Sequence, residues 1–292
     1  MSLTRIVLCA DDYGVAPGVG RAIRDLVARR RLSAVSCMAV APYWREEAMK
    51  LAQLGADVDI GLHLTLTDQA PLGPLPRTAP CGRMPRFGEM LRRSYAGRIE
   101  REELRGELAR QYDAFVAAIG REPDFLDGHH HVQQLPIIRE VVADLFADRL
   151  SGRDAYVRTC AEKAATIVKR RVFVTHHLAF AWPGRGLRRV LDRRGIPSND
   201  GYSGAYDFSP RLPYAVLFDR FVSAARDGHL VNCHPGLVDE ALAAADSLTS
   251  GRELEYAFFS GEQLTETLAR RGLTLDRLRP RSQAAPPPSA PA

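Results

Sequence analysis

Short apolar runs that end at an acidic residue or a histidine limit the possible folds of this sequence more than any other feature. These runs and their polar residues are 5–10 with Asp11 and Asp12, 58–66 with His63, 125–127 with His129, and 229–233 with His234. Apolar runs of this length are typical of buried strands. Patterns with helical spacing lie between them, as in residues 100–120. Strands that alternate with helices predict a parallel sheet or barrel.

The polar residues fall at or near the carboxyl ends of four predicted strands. In a β/α barrel this rim forms the active site. Eight regular βα units are not visible, so we expect a single α/β domain with an irregular, distorted β/α barrel. We place this catalytic domain at residues 1–279. Residues 280–292 are rich in Pro and Ala, and we expect them to form a disordered tail.

The remaining predicted elements complete the domain around these strands. We predict helices at 15–31, 43–54, 100–120, from Pro136, 213–226 and 262–271, strands at 34–40 and 155–159, and a surface loop at 68–90. Residues 11–14 are predicted to form a loop after the first strand.

Composition excludes several classes of protein. The net charge is +5, but the basic runs are short and lack interleaved aromatic residues, so we expect no nucleic-acid binding. The five cysteines are scattered and odd in number, which favours reduced thiols in the cytosol. No signal-like apolar core or membrane-spanning run is visible. We therefore expect a cytoplasmic protein that is not an integral membrane protein.

Aspartate and histidine at successive strand ends indicate a metal site. Zinc and similar ions bind imidazole nitrogen and carboxylate oxygen, and catalytic sites keep a position open for water. In His129-His130-His131, a strand-like backbone would place His129 and His131 on the inner face and turn His130 away. The alternatives are a surface histidine cluster and, for Asp11-Asp12, a simple turn. Two adjacent acids also suggest that one binds metal while the other acts as a base.

Four segments match a known family in order and spacing. They are CADDYG at 9–14, IGLHLTLT at 60–67, GREPDFLDGHHHV at 120–132 and NCHPG at 232–236. With them, the sequence resembles the YdjC/ChbG-like carbohydrate deacetylases. The resemblance extends from the N-terminus to about residue 275, and it implies a distorted barrel of the glycoside hydrolase/deacetylase type.

The resemblance also implies an activity and a set of roles. The activity is removal of N-acetyl groups from sugars such as chitooligosaccharides. Asp12, His63 and His129 would bind one divalent ion, with Zn or Mg expected and Mn, Co or Ni as alternatives. Asp11 would be the general base, and His234 a general acid or an orienting partner. An acetylated sugar is the expected partner, and a homodimer is a further expectation.

Four more residues are expected near the substrate. Asp127 and His131 fall in the matching motif as substrate-binding or supporting groups, and we expect Arg158 and Tyr202 to bind substrate. Tyr202 lies in residues 199–204, whose composition fits either a sugar-binding loop or an ordinary turn. Loops at 68–97 and 176–210 are expected to select the sugar. Gln133 replaces a histidine that the family usually has, so this position is not expected to be a required ligand.

Other functions fit the same residues less well. Non-haem Fe(II) oxygenases also use Asp and His ligands, but they typically take His-x-Asp from one strand, and that spacing does not occur around His63, His129 or His234. Another metal-dependent glycan or phosphoester hydrolase on the same barrel and a non-catalytic carbohydrate-binding protein are the remaining alternatives. Cys233 suggests a thiol nucleophile, but neighbouring residues on a strand face opposite ways, so we interpret it as a buried strand residue.

Overall fold

The computed structural model describes residues 3–54, 57–209, 211–245 and 249–278, and the tail predicted at 280–292 lies outside them. Within these ranges the strands are β1 (Thr4–Tyr13), β2 (Ala34–Cys37), β3 (Asp59–Leu64), β4 (Phe125–Gly128), β5 (Tyr156–Val157), β6 (Tyr202–Ser203), β7 (His229–Cys233) and β8 (Leu273–Leu275). Every pair of neighbouring strands is parallel.

The sheet curls into the expected irregular barrel. Its strand order is β5-β4-β3-β2-β1-β7-β6, and β8 pairs with the beginning of β1. A parallel bridge between Val157 and Ser198 joins β5 to the segment just before β6. All strand ends that carry the polar residues therefore meet at one rim.

The helices lie between the strands in the chain and cover the sheet. They are α1 (Pro17–Ala28), α2 (Trp44–Ala52), α3 (Phe87–Tyr95), α4 (Arg101–Ile119), α5 (Ile138–Arg149), α6 (Ala164–Arg170), α7 (Val174–Arg194), α8 (Tyr214–Val222), α9 (Glu240–Ala245), α10 (Thr249–Ser260) and α11 (Glu262–Arg271). None of these described helices is long and apolar enough to cross a membrane.

Alternation along the strands produces two apolar cores. In β1, Val7 and Cys9 belong to the small core inside the barrel, whereas Ile6 and Leu8 belong to the large core shared with the helices. The interior is tightly packed at Gly61, because a Cβ atom there would lie 2.3 Å from the Phe125 ring. Real Cβ atoms do not approach a ring this closely, so only glycine fits.

The end of β1 breaks this alternation. The pairing of β1 with β2 shifts register between Ala10 and Tyr13, and Asp12 has a positive φ of 65°. Asp11 continues the inward-facing series, and the irregular backbone turns Asp12 back into the same cavity. We predicted a loop from Asp11 to Gly14, but the strand continues through the acidic pair to Tyr13 as a β-bulge.

Several predicted elements are confirmed with small shifts at their ends. The strand at 229–233 and the helix at 262–271 have the predicted bounds, and the helix at 100–120 is observed as Arg101–Ile119. The predicted loop at 176–210 is wrong up to residue 194, where α7 occupies it. Pro183 inside α7 and the glycines beside it hid the helical pattern. The predicted loop at 68–97 is also wrong near its end, where α3 occupies Phe87–Tyr95, and helix α10 was not predicted.

Candidate metal centre and active site

Asp12, His63 and His129 converge at the rim from β1, β3 and the end of β4. Asp12 Oδ1 lies 3.0 Å from His129 Nδ1 and 3.5 Å from His63 Nε2. One ligand atom from each of the three residues lies within 4.8 Å of the others. Two imidazoles and one carboxylate are a donor set typical of zinc and similar divalent ions. The residues predicted to bind metal therefore fit such an ion.

His63 is held in place by groups beneath it. Its Nδ1 lies 2.7 Å from Asp127 Oδ1 and 2.9 Å from Ser36 Oγ, which leaves Nε2 directed at Asp12. A carboxylate behind a ligating imidazole fixes the ring orientation. Burial disfavours the charged imidazole, but the neighbouring Asp127 and Asp12 outweigh it and raise the pKa of His63 to about 10.

Asp12 is buried, and its carboxylate is paired with the guanidinium of Arg252. Its Oδ2 lies 2.7 Å from Arg252 Nη2. Burial favours the neutral acid, but Arg252 and His129 outweigh it and hold the pKa of Asp12 well below its usual value. The carboxylate is therefore ionised at neutral pH and available to bind a cation.

Asp11 forms a buried ion pair beneath the candidate metal centre. Arg158 donates from Nη1 and Nη2 to the two carboxylate oxygens of Asp11, at 2.7 and 2.9 Å. Arg158 Nη2 also lies 3.0 Å from Asp127 Oδ2, and its side chain is fully buried. Burial favours the neutral form of Asp11, but the Arg158 charge outweighs it and lowers the pKa of this carboxyl. One guanidinium thus compensates two buried carboxylates.

His234 follows β7 and faces the same cavity. Its Nε2 lies 3.9 Å from Asp11 Oδ2, and its ring makes an edge contact with Phe208 at 5.1 Å between centroids. Burial lowers the pKa of His234 to about 4, so the ring is neutral at pH 7 in the free protein. Cys233 is fully buried in the outer core, facing away from His234 as predicted.

The histidine cluster differs from the prediction. His129 begins a 3-10 helix that ends at Gln134, and His130 and His131 have positive φ values of 53° and 57°. The expected strand-like alternation is therefore wrong, and all three imidazoles line the cavity. His130 Nδ1 lies 3.0 Å from Thr67 Oγ1, and its ring stacks near His129 at 3.9 Å between centroids.

His131 rests on a buried polar layer. Its Nε2 lies 2.9 Å from Tyr202 Oη, and Tyr202 in turn donates to Asn232 Oδ1 at 2.7 Å. Gln133 is fully buried, and its Nε2 donates to the backbone oxygen of Arg158 at 3.2 Å. Among the described residues, Asp127, Arg158 and Tyr202 do not line the cavity, and they contact the residues that do.

Residues 199–204 form part of the structural core of the barrel. The Asn199 side chain accepts from the Thr159 N–H and donates to the backbone oxygens of Thr159 and Gly201. All six residues except Asp200 are buried. None of these six residues lines the cavity, and Tyr202–Ser203 form β6, so the segment is neither a cavity loop nor a simple turn but a buried part of the sheet.

The cavity above the candidate metal centre has a volume of about 460 Å³. Asp68, Gln69 and Arg83 reach it from the predicted loop at 68–97. From the other predicted loop region the cavity is lined by Phe180, Ala205, Tyr206 and Phe208. Polar and aromatic walls around a compact cavity suit a small polar ligand with apolar faces.

Two functional residues were not predicted from the sequence. Arg252 and Glu255 lie on α10, about 240 residues along the chain from Asp11 and Asp12. Arg252 contacts Asp12, and Glu255 accepts the backbone N–H of His234. Their spacing of three residues places them on one helical face. This spacing could have indicated a shared orientation only if the segment had been predicted to be helical.

The match to known sequences is nearly complete along the chain. Residues 5–270 match the YdjC-like protein family. The chain belongs to this family. Similar curated sequences are named chitooligosaccharide deacetylase. One from Yersinia pestis is 27% identical over 275 residues, covering 92% of this chain and 96% of the relative. One from Serratia marcescens is 26% identical over 274 residues, with the same two coverages.

A solved structure from another protein has a similar fold. It is a crystal structure from Enterococcus faecalis V583, described as a proposed cellobiose-phosphate cleavage protein. The TM-score is 0.70 with 21% sequence identity, and the match covers 94% of this chain and 98% of that one. The similarity supports the distorted barrel as the fold of this chain.

Proposed function

We propose that this YdjC-like protein is a metal-dependent deacetylase that hydrolyses the N-acetyl group of an acetylated amino sugar. The observation that carries the proposal is the convergence of Asp12, His63 and His129 at one rim, with Asp11 and His234 facing the same cavity. The relatives named chitooligosaccharide deacetylase support the choice of substrate.

Asp12, His63 and His129 would hold one divalent ion, with Zn or Mg as the first candidates. When bound, such an ion polarises a carbonyl oxygen and lowers the pKa of bound water. Three protein ligands leave positions for water and substrate, as catalytic sites require.

Asp11 is the proposed general base. Its pairing with Arg158 keeps it ionised and fixes both oxygens at the cavity floor. A carboxylate in this state accepts a hydrogen bond from an attacking water and orients it toward the acetyl carbonyl. Its low pKa makes Asp11 a weak base, so orientation of the water is a large part of its contribution.

His234 is the proposed general acid. The ring is neutral in the free protein, so it must gain a proton before it can protonate the leaving amine. Asp11 Oδ2 lies 3.9 Å from His234 Nε2, and a small movement would let the proton taken from water pass to the imidazole. Protonation of the amine then completes hydrolysis of the amide, with acetate as the other product.

The buried layer beneath the cavity is proposed to support these groups. Asp127 orients His63, Arg158 orients Asp11, and Tyr202 orients His131. Because these three side chains are buried away from the cavity, we assign them to support and assign sugar contact to cavity residues such as His131 and Tyr206.

Acetate release from acetylated mono- and oligosaccharides tests this function. We expect release that depends on a divalent ion and stops with a chelator. His63→Ala and His129→Ala should lose both bound metal and activity, whereas Asp11→Asn should keep metal and lose most of the rate, because an amide does not accept the proton of water. Full activity in metal-free protein would contradict the proposal. Phosphate release from phosphorylated sugars, with no acetate release from acetylated ones, would favour a phosphoester hydrolase.

A further inference from the structure

Helix α10 turns two buried ionisable side chains toward the active site. Arg252 and Glu255 are three residues apart and lie on one face of the helix. Their exposed fractions are 4% and 0%. Burial of a charge is costly unless the charge is paired or hydrogen-bonded. The partners of these two residues are therefore informative about their role.

Arg252 occupies one oxygen of the proposed metal ligand Asp12. The guanidinium Nη2 lies 2.7 Å from Oδ2, while Oδ1 faces His129 and His63. The Arg252 side chain is also enclosed, because a Cβ atom added at Gly236 would lie 3.3 Å from its Cβ. The guanidinium thus holds the carboxylate in an orientation that presents one oxygen to the imidazoles.

Glu255 fixes the segment that carries His234. One carboxylate oxygen accepts the backbone N–H of His234. The other oxygen accepts the hydroxyl of Tyr206 at 2.7 Å, and Tyr206 lines the cavity. Through these contacts and the Arg252–Asp12 pair, α10 connects the ends of β1 and β7.

We propose that Arg252 and Glu255 are positioning residues of the active site, with Arg252 setting the orientation of Asp12 and placing a positive charge beside it, and Glu255 setting the placement of His234. This inference rests on the proposed function of Asp12 and His234. A fixed positive charge beside a site for a dication weakens ion binding. Arg252 therefore keeps metal affinity below the value that Asp12, His63 and His129 would otherwise give.

Metal titration of Arg252 variants tests the first half. In Arg252→Gln the dissociation constant for Co²⁺ or Zn²⁺ is expected to fall by about tenfold or more, because the opposing charge is gone, while kcat falls by roughly 10–100-fold, because Asp12 is no longer oriented. Arg252→Lys keeps the charge, so its dissociation constant should stay close to wild type while kcat remains reduced. Arg252→Lys also allows the role in orientation to be tested if Arg252→Gln does not fold.

A control variant and two contradicting outcomes complete the test of Arg252. Arg270→Gln removes an exposed arginine on α11 and should change neither metal affinity nor kcat. An unchanged or weakened metal affinity in folded Arg252→Gln would overturn the role of its charge. Wild-type kcat in that variant would overturn the role in orientation.

A double-mutant cycle tests the second half. Glu255→Ala should lower kcat by at least about tenfold with metal affinity unchanged, and should have no further effect on kcat in a His234→Gln background, because coupled residues are not additive. Glu255→Gln should restore most of the rate, since an amide oxygen still accepts the His234 N–H. Glu253→Gln changes an exposed residue of the same helix and serves as the control.

Equal losses of kcat from Glu255→Ala in the wild-type and His234→Gln backgrounds would overturn the positioning role and indicate a general effect on the fold. Absence of acetate release by the wild-type protein on every acetylated sugar would instead contradict the proposed function. The effect of Arg252 on metal affinity would still be measurable in that case.

Discussion

Proton competition at His63 should make metal binding strongly dependent on pH. In the metal-free protein the pKa of His63 is raised to about 10, against the effect of burial, by Asp127 and Asp12. A metal ion binds the neutral imidazole, so binding must displace this proton. Below pH 10, each decrease of one pH unit lowers the neutral fraction of His63 about tenfold. The apparent dissociation constant should therefore fall roughly 100-fold between pH 6 and pH 8.

Isothermal titration with Co²⁺ or Zn²⁺ measures this effect. Titrations in buffers of different ionisation enthalpy should show close to one proton released by His63 for each ion bound at pH 7. Asp127→Asn removes a main cause of the raised pKa, so the pH dependence should flatten near neutral pH. Asp113→Asn, which changes an exposed acid on α4, should keep the wild-type slope. A dissociation constant that does not change between pH 6 and pH 8 would refute the reasoning.

The same shift predicts the pH dependence of stability without metal. The folded-state pKa of His63 lies above the unfolded value of about 6.5. Its contribution to the free energy of unfolding is thus fully present below pH 6.5 and is lost as pH rises toward 10. Thermal unfolding of the chelated protein between pH 6 and pH 10 measures this loss.

Two further predictions concern His234 and Arg158. His234→Gln should lower kcat by about 10²–10⁴-fold with metal content unchanged, and by less on an aryl acetamide, whose amine leaves easily; equal losses on both substrates would indicate positioning instead. Arg158→Met leaves Asp11 and Asp127 buried without their cation and should lower the free energy of unfolding by about 3–5 kcal/mol. Urea unfolding measures this loss, with Arg105→Met, which changes an exposed arginine, as control. Unchanged stability would contradict the shared ion pair.

The sequence predicted the strand ends well because the relevant signals are local. Each strand is a short apolar run, and parallel strands bring their carboxyl ends to one rim. This was sufficient to place His63, His129 and His234 around one cavity. The roles given to Asp11 and Asp12 came from the family resemblance, and they remain proposals.

Residues whose function depends on backbone irregularity were harder to predict. The positive φ values of His130 and His131 are not encoded by any glycine or proline at those positions, so an extended backbone was the natural expectation. Arg252 and Glu255 were missed for a different reason. Their role arises from contacts across more than 200 residues of chain, and periodicity within one segment carries no information about such contacts.

The two acids at the end of β1 are separated by a fixed backbone distance. Where two carboxylates come from separate elements, their spacing varies when those elements shift. Here Asp11 and Asp12 are consecutive, and their Cα atoms are held about 3.8 Å apart by one peptide unit. Small movements of the strands would shift the histidines relative to one another but would leave the separation of the Asp11 and Asp12 Cα atoms unchanged. The acidic pair is therefore the fixed part of the site, and movements of the barrel change only the distances from this pair to the histidines.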